Sequence, residues 1–456
     1  MAEAVPPKAT LGTGALLSIG IGGMVGGGIF AITGLTIELT HGAAPMAFAI
    51  AGLVALLTAY SYLKLSLRYP SVGGTVEFLN RAFGPGVLTG ALSILLCLSY
   101  VILLAIYAYA FGSYGAELTG GGHTALYGLA SGILIMLGVL NLLGPHLVIR
   151  SENSFNVIKM LLLAAFVGVG LLLPGDWSRL APQHWVAPLP LFAGAMVIFL
   201  NYEGFELIAN AVPQAGNPKR SLPIAYLGGT AMVLLFYVAI VSVVLLHASF
   251  ADIALHRDSV LSISARFMAG SSGSIAIVIA ALTATASAIN ATLYGSGRLT
   301  YLIAKYGELP ETFEKNIRNQ PLEGMIVFVA LALLIVNLIP LAAIATIGSA
   351  GFLLVFAAVN LANLKLARET GARRSLAATG LLACVLAFAA LCIQVLSNAQ
   401  TRWQLLILAG MILLALLAEL IYRKLSGRSV HMGRQHASAR NGTKTRDVGL
   451  IQDSTD

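Results

Sequence analysis

Between Gly324 and Leu364 the chain runs for 41 residues without an Asp, Glu, Lys or Arg. A hydrocarbon core ~30 Å thick is crossed by ~20 apolar helical residues, so this run holds two crossings, with Pro340 marking a tight turn between them. Runs of the same character recur along the whole chain, where charged residues make up 10% of 456 and the mean hydropathy is +0.86. That composition excludes a set of soluble domains, and runs of this length exclude a barrel of short alternating strands. What remains is an all-α polytopic membrane protein. The stretch from Leu11 to Ile37 is too long for the apolar core of a cleavable signal peptide, so the first span is expected to be retained.

Breaking the runs at charges, Pro/Gly clusters and polar loops gives twelve segments, at 11–37, 43–63, 84–116, 124–145, 153–174, 187–212, 222–248, 271–300, 324–340, 341–364, 375–398 and 403–422. The count falls to eleven if the ninth and tenth are one. With the N-terminus in the cytoplasm, 22 of the 27 Lys and Arg lie on the cytoplasmic side; Arg179, Arg257, Arg266 and Arg402 lie outside, and Lys159 is left within a span. This asymmetry predicts both termini in the cytoplasm, an even number of crossings and a multi-pass protein of the cell (inner) membrane. The net charge of +8 is therefore read as topology, since no basic, aromatic-rich soluble module is present to bind nucleic acid. Residues 1–10 form a polar stub. The tail 426–456, rich in Ser, Gly, Arg and His, is expected to be disordered, as a solvated extension or a membrane-surface contact through Arg428, Arg434 and Arg440. Cys97, Cys384 and Cys392 all fall in apolar runs, which points to neither disulfide nor metal site. No cofactor is implied.

Two spans carry chemistry. The first contains Gly20-Ile21-Gly22-Gly23-Met24-Val25-Gly26-Gly27-Gly28-Ile29-Phe30, six glycines in eleven residues. Each Gly weakens a helix by ~1 kcal/mol relative to Ala, so this stretch unwinds easily and frees backbone N–H and C=O groups at membrane depth. Close helix packing through small-xxx-small pairs is the competing reading. The sixth span contains Phe199-Leu200-Asn201-Tyr202-Glu203-Gly204-Phe205-Glu206. An ionised acid at mid-depth costs ~2.5–3.5 kcal/mol on insertion scales and is usually turned toward a cavity; alternatively both acids are neutral and satisfied by neighbouring carbonyls. Interruptions in the first and sixth spans lie five helices apart, which is the pattern of an inverted-repeat transporter with its substrate site at the midplane. Free N–H groups at a broken end attract a carboxylate and free carbonyls attract an ammonium group, so a zwitterion such as an amino acid satisfies both.

Four motifs resemble the amino acid–polyamine–organocation superfamily of secondary transporters, especially its cationic amino acid transporter-like bacterial and archaeal members. They are Gly20 to Gly34, Tyr69 to Gly86, Tyr202 to Pro223 and Tyr294 to Pro310, in an order and spacing that fit the first 370 or so residues. The resemblance implies a five-plus-five inverted repeat, helices 1–5 in 11–174 and 6–10 in 187–364, with two further helices in 375–422, working by alternating access. By motif position, Val25, Gly26, Gly27, Gly28 and Ile29 receive the substrate carboxylate, and Phe199, Asn201, Glu203 and Gly204 receive its amine through carbonyls. Leu200 falls where members often carry an aromatic gate. Asn201 and Glu203 depart from the small and apolar residues commoner there, which leaves side-chain specificity open. Asn217-Pro218-Lys219-Arg220 also matches the family, but reads as a Pro-set turn with interfacial charge, as do Arg298 and Lys305.

Lys159 lies seven residues past Glu152, ~10 Å along a helix. Its stem either snorkels back to the interface or turns inward, where the amine can gain and lose a proton. Some proton-coupled members of the resembling family place a lysine in the fifth span where sodium-coupled relatives bind sodium, and Lys159 matches that position. The expectation is sodium-independent, proton-coupled transport of an amino acid or related amine, with Lys159 holding the first and eighth helices together. An amino acid or polyamine exchanger without net proton coupling is the alternative. Tyr100, Tyr107, Thr283, Ser287 and Asn290 lie at helical spacing and either line the cavity or make ordinary interhelical bonds. His123, His184 and His247 are expected to face the exterior, without forming a metal cluster. A channel lacks support from any repeated pore-loop motif, and an enzyme from any cluster of acid and base groups. Substrate identity, stoichiometry and oligomeric state leave no signature.

Overall fold

The computed structural model describes the backbone of residues 11–143, 146–305, 316–317 and 320–426, and their side chains except at 143, 146–155, 298, 301–302, 305, 316–317, 320–322 and 425–426. The polar stub, the tail beyond 426, the last residues of the Tyr294 to Pro310 motif and the side chains of Arg298 and Lys305 lie outside the described residues.

The first span is broken in two, α1 (Thr13–Met24) and α2 (Gly28–Thr40), which meet at a 46° bend across Val25, Gly26 and Gly27. Then follow α3 (Ala44–Arg68), with Pro45 in its first turn, and a short amphipathic helix α4 (Gly74–Phe83). It falls within the Tyr69 to Gly86 motif, between the second and third predicted segments. It forms because Tyr62 of α3 anchors it, by a 2.7 Å hydrogen bond to Thr75 and an edge contact with Phe78. Next come α5 (Val87–Thr119), ended by Gly120 in the left-handed conformation (φ 64°), α6 (Gly122–Leu143) and α7 (His146–Leu172). The sixth span opens as α8 (Pro188–Ile198), tightens into a single 3₁₀ turn over Phe199–Tyr202, breaks at Glu203 and Gly204, and resumes as α9 (Leu207–Ala211).

The remaining helices are α10 (Pro218–Pro223), continuous through a π turn with α11 (Gly229–His247), then α12 (Phe250–Leu255) and α13 (Val260–Lys305). α13 kinks at Ala269 and Gly270, where the eighth segment is predicted to begin. A two-residue antiparallel ribbon, β1 (Asn316–Ile317) with β2 (Gln320–Pro321), leads into α14 (Leu322–Leu338) and α15 (Leu341–Lys365), which separate at Pro340 as the sequence predicts. The chain continues as α16 (Ala367–Thr370), α17 (Arg374–Ser397) and α18 (Trp403–Ser426).

Among the described residues nine helices are long and apolar enough to cross a membrane, or ten with the bent α1–α2 pair as one. Two of the twelve segments hold shorter apolar helices, Asn156–Leu172 and Glu323–Leu338. The molecule is an all-α polytopic membrane protein. Its centre is aromatic: Tyr62 stands within 6.4 Å of the rings of Phe78, Phe205, Tyr226 and Phe356, so α3, α4, α11's approach and α15 converge beside the broken sixth span. A second buried network, Asn360 on Thr58 and Cys384 with Ser61 on Asn360, ties α3, α15 and α17. Cys97, Cys384 and Cys392 are free thiols. Arg179, predicted outside, donates to the carbonyls of Leu245 (3.1 Å) and Ala248 (2.8 Å), capping the end of α11. His247 joins the same region through Nε2 and the Gly170 carbonyl, 2.8 Å apart.

Candidate functional site

The glycine cluster breaks the first span because an uninterrupted helix would have to carry Gly26, Gly27 and Gly28 in succession, each with the conformational freedom to leave it. Val25 turns out of the helix (φ −79°, ψ 58°), and the Gly26 N–H reaches only as far back as the Met24 carbonyl, at 2.8 Å. Four residues behind the N–H groups of Ile29 and Phe30 stand Val25 and Gly26, outside either helix, and the Met24 carbonyl behind Gly28 takes the Gly26 N–H instead. Val25, Ile29 and Phe30 are fully buried, so these donors sit at the centre of the protein.

The second break lies directly against the first. Gly204 has φ 120°, in the region that favours glycine, and a Cβ there would run into the backbone of Gly23 and Met24. A Cβ on Gly23 would stand 2.9 Å from Gly204 Cα. The two interruptions that lie 180 residues apart in the chain are thus in backbone contact. Asn201 leans onto the start of α2, since a Cβ on Gly28 would overlap its Oδ1. Tyr107 and Thr285 close over Gly27, at 2.7 and 2.8 Å from where its Cβ would stand, and the Tyr107 hydroxyl lies 3.2 Å from the corresponding point of Gly26.

Five side chains of the sixth span behave differently. Glu206 is satisfied: Tyr100 donates to its Oε1 (3.1 Å) and the Gly204 N–H to its Oε2 (2.6 Å). Among the described residues Glu203, 1% exposed, has no hydrogen-bond partner on either oxygen, and Asn201, 2% exposed, has none on either amide atom. Buried polar groups are nearly always paired, so four orphaned atoms beside an unwound backbone mark a place built for something else. Leu200 packs 3.2 Å from the Cβ position of Gly348 on α15, and Phe199 stacks edge-on against Phe356.

Lys159 is fully buried, with Nζ donating to the Gly22 carbonyl at 3.1 Å. The geometry is that of a cation on an orphan carbonyl at a helix C-terminus, and the side chain does not snorkel to an interface. Asn156 flanks the same glycine, its Nδ2 2.8 Å from the Cβ position of Gly22. Of the secondary candidates, Tyr100 and Tyr107 reach the breaks and Ser287 lines a narrow cleft of about 30 Å³ along Gly22, Gly204, Glu206 and Asn210. That volume holds about two waters, far less than an amino acid. Asn290 is engaged by Asn141 of α6 at 2.7 Å, and Thr283 bonds back to its own helix. Among the described residues no group of three His, Cys, Asp or Glu is placed to hold a metal.

Sequence reasoning missed Tyr237. Its hydroxyl donates 2.7 Å to the Met24 carbonyl and stands 3.3 Å from the Asn201 carbonyl, bridging the two breaks from α11. A single tyrosine in an apolar run gives no sign of where its hydroxyl points. Tyr237→Phe leaves two buried carbonyls without this donor, at about 1–3 kcal/mol. A lower thermal midpoint of the purified protein is expected; an unchanged one would show that the hydroxyl does not tie the breaks.

Residues 11–417 match the amino acid permease family. The chain belongs to that family. Within it, the chain is 32% identical over 423 residues to the inner membrane transport protein YbaT of Escherichia coli K12, covering 91% of this chain and 96% of YbaT. It is also 32% identical over 369 residues to the uncharacterized protein MJ0609 of Methanocaldococcus jannaschii, covering 79% and 83%, and 27% identical over 390 residues to the methylthioribose transporter of Bacillus subtilis, covering 79% and 81%. This amino acid permease family member is a polytopic transporter of amino-acid- or amine-like solutes and not an enzyme.

Proposed function

We propose that this permease carries amino acids or related amines by alternating access, coupled to protons and independent of sodium, from a site at the two helix breaks. The observation that carries the reading is the backbone contact of Gly23 with Gly204, which brings the free donors of α2 and the irregular carbonyls after Phe199 into one buried place. Val25, Gly26, Gly27, Gly28 and Ile29 then hold the substrate carboxylate by N–H groups and the positive end of α2. The carbonyls of the Phe199 to Gly204 stretch, among them those of Asn201 and Glu203, hold the amine, and Leu200 gates the site from the α15 side.

The repeats run as helices 1–5 in 11–174 and 6–10 in 187–364, inverted with respect to each other, followed by two helices in 375–422, and both termini are cytoplasmic in a cell (inner) membrane. Lys159 is the proton-coupling group. Bound to Gly22 it fastens the inner half of the first span to α7, and loss of its proton weakens that bond and frees α1 to move. The cleft along Gly22, Glu206 and Asn210 is the beginning of the cytoplasmic path, narrowed in this structure to the width of water.

The test is uptake of labelled amino acids and polyamines by the purified protein in sodium-free liposomes, with and without an inside-alkaline pH gradient. Gradient-dependent accumulation is expected. Uptake that needs internal counter-substrate and ignores the gradient would make the protein an exchanger and return Lys159 to a structural role.

A further inference from the structure

The proposed site uses the backbone of the sixth span and leaves the Glu203 side chain without a task. Both of its oxygens are buried and unpartnered, and no ion pair reaches it among the described residues. The acid next to it in the chain, Glu206, is occupied by Tyr100 and the Gly204 N–H. The titratable groups within electrostatic reach of Glu203 are Glu206 and the hydroxyls of Tyr62, Tyr100 and Tyr107. Of the elements packed on this stretch, α11 brings Tyr237, already spent on two carbonyls, and α2 brings Glu38 near its far end. α8 has no titratable residue, and Lys64, Arg68 and Lys365 stand in the last two turns of α3 and α15. The buried ammonium of Lys159 is on Gly22. Tyr107, which lies within electrostatic reach of this acid, also closes over Gly26 at the first break.

A bare carboxylate at this depth is strongly disfavoured, and one positive charge removes the penalty. We propose that Glu203 is a single-occupancy cation subsite that holds either a proton or a second cationic nitrogen of the transported solute, with the orphaned Asn201 amide beside it supplying a hydrogen bond. This inference rests on the transport reading above and adds the solute class. Diamino acids and diamines fill the subsite, whereas a solute whose cation is only the α-amine leaves the proton in place. When a dicationic solute binds, the Glu203 O–H bond breaks, its proton passes to water, and the carboxylate pairs with the incoming ammonium. Charge at the subsite is conserved, and cationic solutes therefore carry one proton fewer than neutral ones.

Isothermal titration of the purified full-length protein with L-lysine, putrescine and L-leucine, in buffers of different ionisation enthalpy, reads the proton count. L-lysine and putrescine are expected to release about one proton each and to bind up to about tenfold more tightly per unit rise in pH, while L-leucine releases none. Glu203→Gln is expected to abolish the release and to weaken L-lysine by a larger factor than L-leucine. Binding of L-lysine without proton release, release that persists in Glu203→Gln, or binding of L-leucine alone would each overturn the subsite. The wild-type comparison of L-lysine with L-leucine decides the matter if the variant does not fold. If no amino acid or amine binds or is transported, the transport reading itself has failed and the subsite falls with it.

Discussion

Gly204→Ala is expected to abolish transport and to lower the yield of folded protein. Alanine at φ 120° carries backbone strain of about 1–3 kcal/mol, and its methyl group meets the backbone of Gly23 and Met24, which cannot yield as a side chain tip can. The two breaks would have to part, and with them the bridge made by Tyr237. Gly28→Ala is the informative comparison, because its methyl group meets only the end of the Asn201 side chain. That variant is expected to fold and to bind substrate more weakly. Both are read by the thermal midpoint and by liposome uptake. Wild-type uptake by Gly204→Ala would show that close contact of the breaks is not needed for the site.

Lys159→Met is expected to lose pH-driven accumulation by at least about tenfold while retaining exchange against internal substrate. The methionine keeps the apolar stem and removes only the ammonium, so packing of α7 is preserved and the bond to Gly22 is lost. A hydrogen bond to a charged group contributes about 1.5–3 kcal/mol, which corresponds to roughly ten- to a hundredfold in the balance between states that do and do not make it. The inner half of the first span then no longer senses protonation. Full accumulation by the variant, or sodium stimulation of the wild type, would remove Lys159 from the coupling step.

Much of the candidate site was legible because its residues are locally abnormal. Six glycines in the middle of a span, and two acids with an asparagine in another, contradict what a membrane helix needs, and such contradictions gather where a ligand completes the structure. Glu203 and Glu206 could not be told apart on that basis. Their difference comes from Tyr100, 106 residues before Glu206, and from the turn that returns the Gly204 N–H to Glu206. Thr285 closes on Gly27, whereas the sequence nominated Thr283 two residues earlier. The helix carrying both is long and interrupted at Gly270, and its rotation is not fixed by spacing alone.

The sequence by itself determined that the chain folds as apolar helices, that two of them separate at Pro340 and that the first and sixth spans break. These are consequences of hydropathy and backbone propensity, which act over a few neighbouring residues. Only the tertiary structure decided that the breaks touch, that Lys159 turns inward to Gly22, that Tyr237 spans both breaks and that Glu203 is left without a partner among the described residues. Helices apolar on every side carry little record of which face meets protein and which meets lipid, so their rotation and neighbours are set by packing across the bundle.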